Sequence, residues 1–128
     1  MPSTRIETRR GWLGARRRNF IEAVQGALVA GILIPDTDRC VRLAEYDDEA
    51  FIVPPHVGPH YSVVEISLFT GRSIEAKRRL YAALVEAVEP FGLAAHDLKV
   101  ILHEVPRENW GLRGKPGSDI ELGFKVDV

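Results

Sequence analysis

The 128-residue chain has one cysteine, Cys40, so an intramolecular disulfide is impossible. A reducing, cytoplasmic compartment is therefore the simpler expectation. With no nearby thiol pattern, Cys40 is interpreted as a small buried hydrophobic residue. No apolar run reaches the roughly 18 residues that a membrane-spanning helix needs, so no membrane association is predicted.

The chain also has almost no net charge, because it contains 17 Lys and Arg and 18 Asp and Glu. Only the first twenty residues are locally basic, with six Arg and one Glu. A secretory signal requires an apolar stretch after its basic part, and Arg16–Arg18 interrupt any such stretch here. A nucleic-acid-binding domain is basic as a whole. These arginines are therefore predicted on a solvated helix face, and no nucleic-acid partner is expected.

Several motifs that carry chemistry are absent, among them glycine-rich phosphate loops, nucleotide fingerprints and Ser-His-Asp arrangements. His56 and His60 lie in "PPHVGPH", where the prolines exclude a helix and their spacing carries no ligand geometry. The sequence thus predicts no metal site and no cofactor.

The chain does contain an internal repeat. Residues 15–31 (ARRRNFIEAVQGALVAG) align with 76–92 (AKRRLYAALVEAVEPFG), and 38–46 (DRCVRLAEY) align with 97–105 (DLKVILHEV). Two copies are too few for a solenoid, and the length suits one domain, so an internally duplicated single domain is predicted. Its parts are copies at about 2–46 and 62–105, a connecting loop at 47–60, and a C-terminal extension at 106–128.

Each copy predicts a strand, a helix and a second strand. In the second copy, "SVVEISLF" alternates with period two, Ser73 caps a helix whose apolar residues recur at helical spacing, and Gly92 ends it. "LKVILHEV" follows as a strand. The first copy predicts strands near 3–8 and 39–46 and a helix at about 13–30. The fold class is therefore α+β, a four-stranded mixed sheet with two helices on one face.

The other face of this sheet is predicted to carry Val63, Phe69, Ile101 and Val105. A second sheet or a second subunit must cover such apolar side chains, so oligomerisation is expected. In the C-terminal extension, "PRENWGLRGKPGSD" is predicted irregular, and "IELGFKVDV" alternates like a last strand or hairpin.

Four features together resemble the tautomerase superfamily, which includes 4-oxalocrotonate tautomerase, macrophage migration inhibitory factor and malonate semialdehyde decarboxylase. They are Pro2 directly after Met1, the duplicated unit, "GRS" at the start of the second helix, and Asn-Trp-Gly after the fourth strand. The resemblance covers nearly the whole chain. It implies a homotrimer with active sites at subunit boundaries, each built around an N-terminal proline.

The resemblance also implies roles for individual residues. Pro2, once Met1 is removed, is a free secondary amine that serves as general base and acid when burial lowers its pKa towards neutrality. Arg72 binds a substrate carboxylate. Asp38 orients water or the amine, or else merely begins a strand after a turn, as its counterpart Asp97 does. Trp110 and Leu112 form an apolar substrate wall, although Trp110 also suits a packing role.

The expected function is proton transfer within a small unsaturated oxo or hydroxy carboxylate. Two alternatives stay open: a decarboxylase or hydratase that uses Pro2, Asp38 and an activated water, and a non-catalytic trimeric binding protein. Where the decarboxylase and a related dehalogenase carry an additional arginine shortly before the "GRS" arginine, this chain has Phe69 and Thr70. This departure favours simple proton transfer over decarboxylation.

Overall fold

Each half of the chain forms a strand, a helix and a second strand, as predicted. The computed structural model describes residues 1–128. Its elements are β1 (Ser3–Arg9), α1 (Arg17–Ile32), β2 (Val41–Tyr46), β3 (Ser62–Phe69), α2 (Ile74–Val88), β4 (Leu98–Val105), β5 (Gly111–Leu112) and β6 (Lys115–Pro116). The sheet order is β2-β1-β3-β4, parallel within each half and antiparallel between β1 and β3. The mixed four-stranded sheet is confirmed.

One face of the sheet packs against both helices and forms the core. In β1, Ile6 is fully buried between exposed or half-buried neighbours, and Val64 and Ile66 are buried at the same period in β3. Each helix buries residues four positions apart, which lie on one face of an amphipathic helix. These residues are Phe20, Val24, Leu28 and Ile32 in α1, and Ala76, Leu80, Leu84 and Val88 in α2.

The aligned glycines of the two copies have different roles. Gly92 has a φ of 92° and follows the end of the second helix, as predicted. Gly31 lies inside α1 and contacts α2, since a Cβ there would lie 2.5 Å from the Leu80 Cα. The left-handed residue after α1 is instead Leu33, with a φ of 57°. Gly31 is thus a helix-contact residue, although the sequence alignment pairs it with a helix terminator.

The loop at 47–60 contacts both copies. The Asp97 Oδ1 accepts a hydrogen bond of 2.9 Å from the Gly58 N–H. The His60 ring stacks on Trp12 with centroids 4.2 Å apart, and its Nδ1 lies 2.8 Å from the Gly92 carbonyl oxygen. His60 and Asp97 therefore have structural partners.

Several predicted details need correction. The helix α1 begins at Arg17, after a 3-10 turn at Gly14–Arg16. A short C-terminal hairpin is present, but it is formed by β5 and β6 within the segment that was predicted irregular, and residues 120–128 form no strand. The buried position predicted for Cys40 is wrong: it is exposed just before β2, an edge strand, with its Sγ 3.3 Å from an Arg42 Nη1.

The sheet face away from the helices is less apolar than predicted. Ile101 is exposed there. Phe69, by contrast, is fully buried by the chain's own C-terminal extension, so its burial does not require a second subunit. Polar side chains occupy the middle of this face, where Glu65 accepts one hydrogen bond from Arg5 (3.4 Å) and pairs with His103 (2.8 Å). These two partners, His103 foremost, lower the pKa of Glu65. No helix has the length and apolarity that crossing a bilayer requires.

Candidate active site

The amino terminus lies at the end of a central strand. Because β1 is flanked by β2 and β3, the residue before it, Pro2, is buried. The Thr4 N–H donates a hydrogen bond of 2.9 Å to the Cys40 carbonyl oxygen. This bond brings the loop that precedes β2 alongside the start of the chain.

Asp38 belongs to that loop, and a buried glutamine of α1 holds the loop in place. The Asp38 N–H closes a turn on the Pro35 carbonyl at 3.0 Å. The Gln25 Nε2 donates to the carbonyl oxygens of Asp36 and Asp38, at 3.4 and 3.3 Å. With its backbone fixed in this way, Asp38 places its Oδ2 3.4 Å from the Met1 amine, and its side chain is only 10% exposed.

The surroundings of the terminal amine favour its neutral form. Burial is the main cause that lowers the amine pKa from its ordinary value of 8.0. The carboxylate of Asp38 opposes this by stabilising the ammonium, whereas the guanidinium groups of Arg72 and Arg107 lower the pKa further. The amine, one carboxylate and two guanidinium groups thus lie within electrostatic reach of one another.

Arg72 is the buried cation of this cluster. It lies in the turn between β3 and α2, directly after Gly71, whose φ of 137° favours glycine. The residue is 5% exposed, and its Nη1 donates to the Phe69 carbonyl oxygen at 3.2 Å. Its Nε and Nη2 are buried without a hydrogen-bond partner in the protein. Burial lowers the pKa of Arg72, but a guanidinium remains charged in proteins. Two unpaired N–H donors suit a carboxylate bound in bidentate fashion.

The C-terminal extension packs around the same turn. The Ser73 hydroxyl accepts from the Ala76 N–H at 3.1 Å, which confirms the predicted cap, and donates to the Val128 carbonyl oxygen at 2.6 Å. Val126 is buried near Gly71. The end of the chain therefore encloses the turn that carries Arg72.

Trp110 and Leu112, the predicted substrate wall, lie in this extension. The Trp110 ring packs edge-on against Phe69, with centroids 5.2 Å apart, and its Nε1 donates to the Val105 carbonyl oxygen at 3.1 Å. Leu112 is half-buried and pairs with Lys115 in the hairpin. Trp110 therefore packs against Phe69, whose carbonyl oxygen accepts the hydrogen bond from Arg72. The structure shows no contact between Leu112 and the cluster of the terminal amine, Asp38 and the two arginines.

Comparison with known proteins identifies the family. Residues 38–113, more than half of the chain, match the family described as "tautomerase enzyme". The chain belongs to the tautomerase family. It is 37% identical over 57 residues to a probable tautomerase of Ralstonia nicotianae and 33% identical over 57 residues to a 2-hydroxymuconate tautomerase of Comamonas testosteroni. Each match covers 44% of this chain, and 81% and 90% of the respective relative. A region shorter than half of this chain thus matches most of each relative.

Solved structures of tautomerase-superfamily proteins share this fold. Native fused 4-OT superposes with a TM-score of 0.83 at 24% identity and covers 92% of this chain and 98% of its own. FG41 malonate semialdehyde decarboxylase, inhibited by 3-bromopropiolate, superposes with a TM-score of 0.68 at 33% identity, over 84% of this chain and 86% of its own. The family match and the two curated relatives support a tautomerase-like isomerase activity.

Two residues of the candidate site were not identified from the sequence. Arg107 lies in "PRENWG", a segment with no periodicity that would indicate which way a side chain points. Gln25 could have been identified from its position, because it follows Val24 at the apolar face of α1. A polar side chain that is buried there requires hydrogen-bond partners.

Proposed function

We propose that the chain is a cofactor-independent tautomerase in which Pro2 is the general base and acid. Its substrate is a small unsaturated oxo or hydroxy carboxylate. The observation that carries this proposal is the terminal amine beside Asp38 and within electrostatic reach of Arg72. We propose that the same groups act on the Pro2 nitrogen, which lies one residue further along and becomes the terminal amine once Met1 is removed.

In the proposed reaction, the neutral Pro2 amine takes the hydroxyl proton of a 2-hydroxydienoate. The conjugated double bonds shift, and the prolinium returns a proton to a carbon of the same molecule. No net oxidation occurs and no other reactant is consumed. Asp38 stabilises the transient prolinium, and the free N–H groups of Arg72 hold the substrate carboxylate.

The active form is proposed to be a homotrimer in the cytoplasm. Four fused 4-OT proteins with this fold were solved as trimers, one of them at 28% identity to this chain. A neighbouring subunit would cover Ile101, which is 38% exposed on the open sheet face. The cytoplasmic location is proposed because the only cysteine leaves no disulfide to form.

The test combines intact mass with turnover. Mass spectrometry of the purified chain is expected to show loss of Met1, and this form is expected to ketonise phenylenolpyruvate and 2-hydroxymuconate. A version extended ahead of Met1 keeps the Pro2 nitrogen in an amide, which is not basic, and is expected to be inactive. Equal turnover by the extended version would contradict the proposal.

A decarboxylase or hydratase remains the second candidate because Asp38 lies directly beside the amine. In that reaction Asp38 and Pro2 activate a water molecule. The 33% identity to FG41 malonate semialdehyde decarboxylase also favours this candidate. Absence of any turnover would favour a non-catalytic trimeric binding protein.

An Asp38→Asn variant separates the two enzymatic candidates through its pH profile. Asp38 raises the amine pKa by stabilising the ammonium, so its neutralisation lowers that pKa. The base acts in its neutral form, so the acid limb of kcat/KM for ketonisation is expected to move to lower pH while turnover persists. Asp36→Asn, on the exposed side of the same loop, is the matched control and is expected to leave the profile unchanged. Loss of all turnover in Asp38→Asn alone would favour the water-activating role.

A further inference from the structure

Gln25 links α1 to the Asp38 loop, which we define as residues 33–40 between α1 and β2. The Gln25 side chain is 2% exposed, and its Nε2 donates one hydrogen bond to the Asp36 carbonyl oxygen and one to the Asp38 carbonyl oxygen. Packing does little to hold this part of the loop, since residues 35–40 are exposed apart from Asp38. The two hydrogen bonds from Gln25 therefore fix the backbone from which the Asp38 side chain extends.

The other half of the Gln25 amide has no equivalent role. Its Oε1 is buried and has no hydrogen-bond partner within the chain. A buried acceptor without a partner is unfavourable, and an apolar side chain of similar length would avoid this cost. What an apolar residue could not supply is the pair of donors to the Asp38 loop.

An ion pair one helical turn away makes a weaker link to the same loop. Glu22 lies three positions before Gln25 on α1 and pairs with Arg39. The Arg39 Nε also lies 3.9 Å from an Asp36 Oδ1. The side chains of Glu22 and Arg39 are 43% and 44% exposed, and exposed ion pairs contribute little to stability. The position of Asp38 thus depends mainly on Gln25.

The position of the Asp38 carboxylate determines how it acts on the terminal amine. The charged groups that act on this amine are Asp38, Arg72 and Arg107, and among them only Asp38 stabilises the ammonium form. Its Oδ2 lies 3.4 Å from the Met1 nitrogen. Because the attraction between two charges falls with their separation, an outward shift of the Asp38 loop would weaken it.

Building on the proposed function, we infer that Gln25 is a positioning residue: it holds the Asp38 carboxylate beside the terminal amine and thereby sets the pH range in which that amine is neutral. Gln25 acts through the backbone of Asp38 and does not itself contact the amine. In Gln25→Met, which has an apolar side chain of similar length, the two carbonyl oxygens lose their donors and must turn towards water. The Asp38 carboxylate then moves away from the amine, and the ammonium form loses its anionic partner.

The pKa of the terminal amine tests this inference without any need for turnover. It is measured from the pH dependence of acetylation by acetic anhydride, with peptide mass spectrometry to distinguish the terminal amine from the lysines. Gln25→Met is expected to lower this pKa by about 0.5–1, a part of the effect of an adjacent opposite charge. Glu22→Gln is the matched control, since it removes the other link between α1 and the same loop, and it is expected to change the pKa by less than about 0.2.

A double variant separates positioning from a structural role. If Gln25 acts through Asp38, Gln25→Met lowers the amine pKa in the wild-type chain but causes no further decrease in Asp38→Asn. The melting temperature of Gln25→Met is expected to stay within about 4 °C of wild type, because the substitution also removes the buried Oε1 without a partner. Gln25→Asn, whose amide is one methylene further from the loop, replaces Gln25→Met if the latter is unfolded.

The pH profile of turnover provides the second readout. In Gln25→Met, the acid limb of kcat/KM for ketonisation of phenylenolpyruvate is expected to move to lower pH by the same amount as the amine pKa. An unchanged amine pKa, or an equal decrease in the wild-type and Asp38→Asn chains, would overturn the inference. Wild type without turnover but with an amine pKa that depends on Gln25 would overturn the proposed function alone.

Discussion

Pro2→Ala is expected to lower kcat/KM for ketonisation of 2-hydroxymuconate about 10²- to 10³-fold, within the range of a general acid-base contribution. The variant keeps a terminal amine but replaces the ring nitrogen with a freely rotating primary amine. The lone pair is then no longer held in one direction at the start of β1, although Asp38 and Arg72 remain in place. Stopped-flow absorbance measurements on chain that lacks Met1 provide the rates.

The matched control is Ser3→Ala. Ser3 is the next residue of the same strand, and its Oγ accepts a hydrogen bond from the Arg42 Nη1 at 3.0 Å, away from the amine. The kcat/KM of Ser3→Ala is expected to stay within about three-fold of the wild-type value, as for a substitution outside the site. If Pro2→Ala were equally active, the ring amine would have no role in the reaction and the binding-protein alternative would gain support.

The fold was predictable from the sequence because its determinants are local and occur twice. Alternation in "SVVEISLF" predicted β3, and the spacing of Leu80, Leu84 and Val88 predicted the buried face of α2. The Ser73 cap depends on a contact with Ala76, three residues away. The repeat then predicts the same elements in the first half of the chain. The two amphipathic helices bury their apolar faces against one face of the sheet.

The C-terminal extension was not predictable in the same way because its structure depends on distant contacts. The alternation in "IELGFKVDV" is typical of a strand, yet this segment returns to the start of α2, where Val126 is buried and Val128 accepts a hydrogen bond from Ser73. The extension also buries Phe69. For this reason, a side chain that the strand pattern placed on the open face is fully enclosed.

The candidate site was predictable only in part. Pro2, Asp38 and Arg72 were named from the resemblance, and the structure brings the terminal amine, Asp38 and Arg72 together. The two aspartates that the repeat makes equivalent have diverged, since Asp97 holds Gly58 and Asp38 faces the amine. Arg107 reaches the site through its stacking on Phe69, a tertiary contact that no sequence spacing reveals.

Arg72→Ala is expected to lower kcat/KM for the same substrate about 10²- to 10³-fold, mostly through a higher KM. The substitution removes two charge-assisted hydrogen bonds to the substrate carboxylate, each of about 1.5–3 kcal/mol. The expected loss corresponds to about 3–4 kcal/mol, in the lower part of their sum, because water partly replaces the lost bonds. Steady-state kinetics over a wide substrate range separates KM from kcat.

Because Arg72 is buried and bonded to the Phe69 carbonyl, the same variant also removes an interaction that supports the turn. Arg72→Lys separates binding from this structural effect, because lysine keeps the positive charge but lacks the planar guanidinium. We expect its kcat/KM to fall about ten-fold. Arg78→Ala removes an arginine from the exposed side of α2, where its partner is Glu75 at 3.9 Å, and is expected to change neither constant. A binding role requires KM to rise with thermal stability retained in Arg72→Lys. If stability fell and KM did not change, Arg72 would be a structural residue of the turn between β3 and α2.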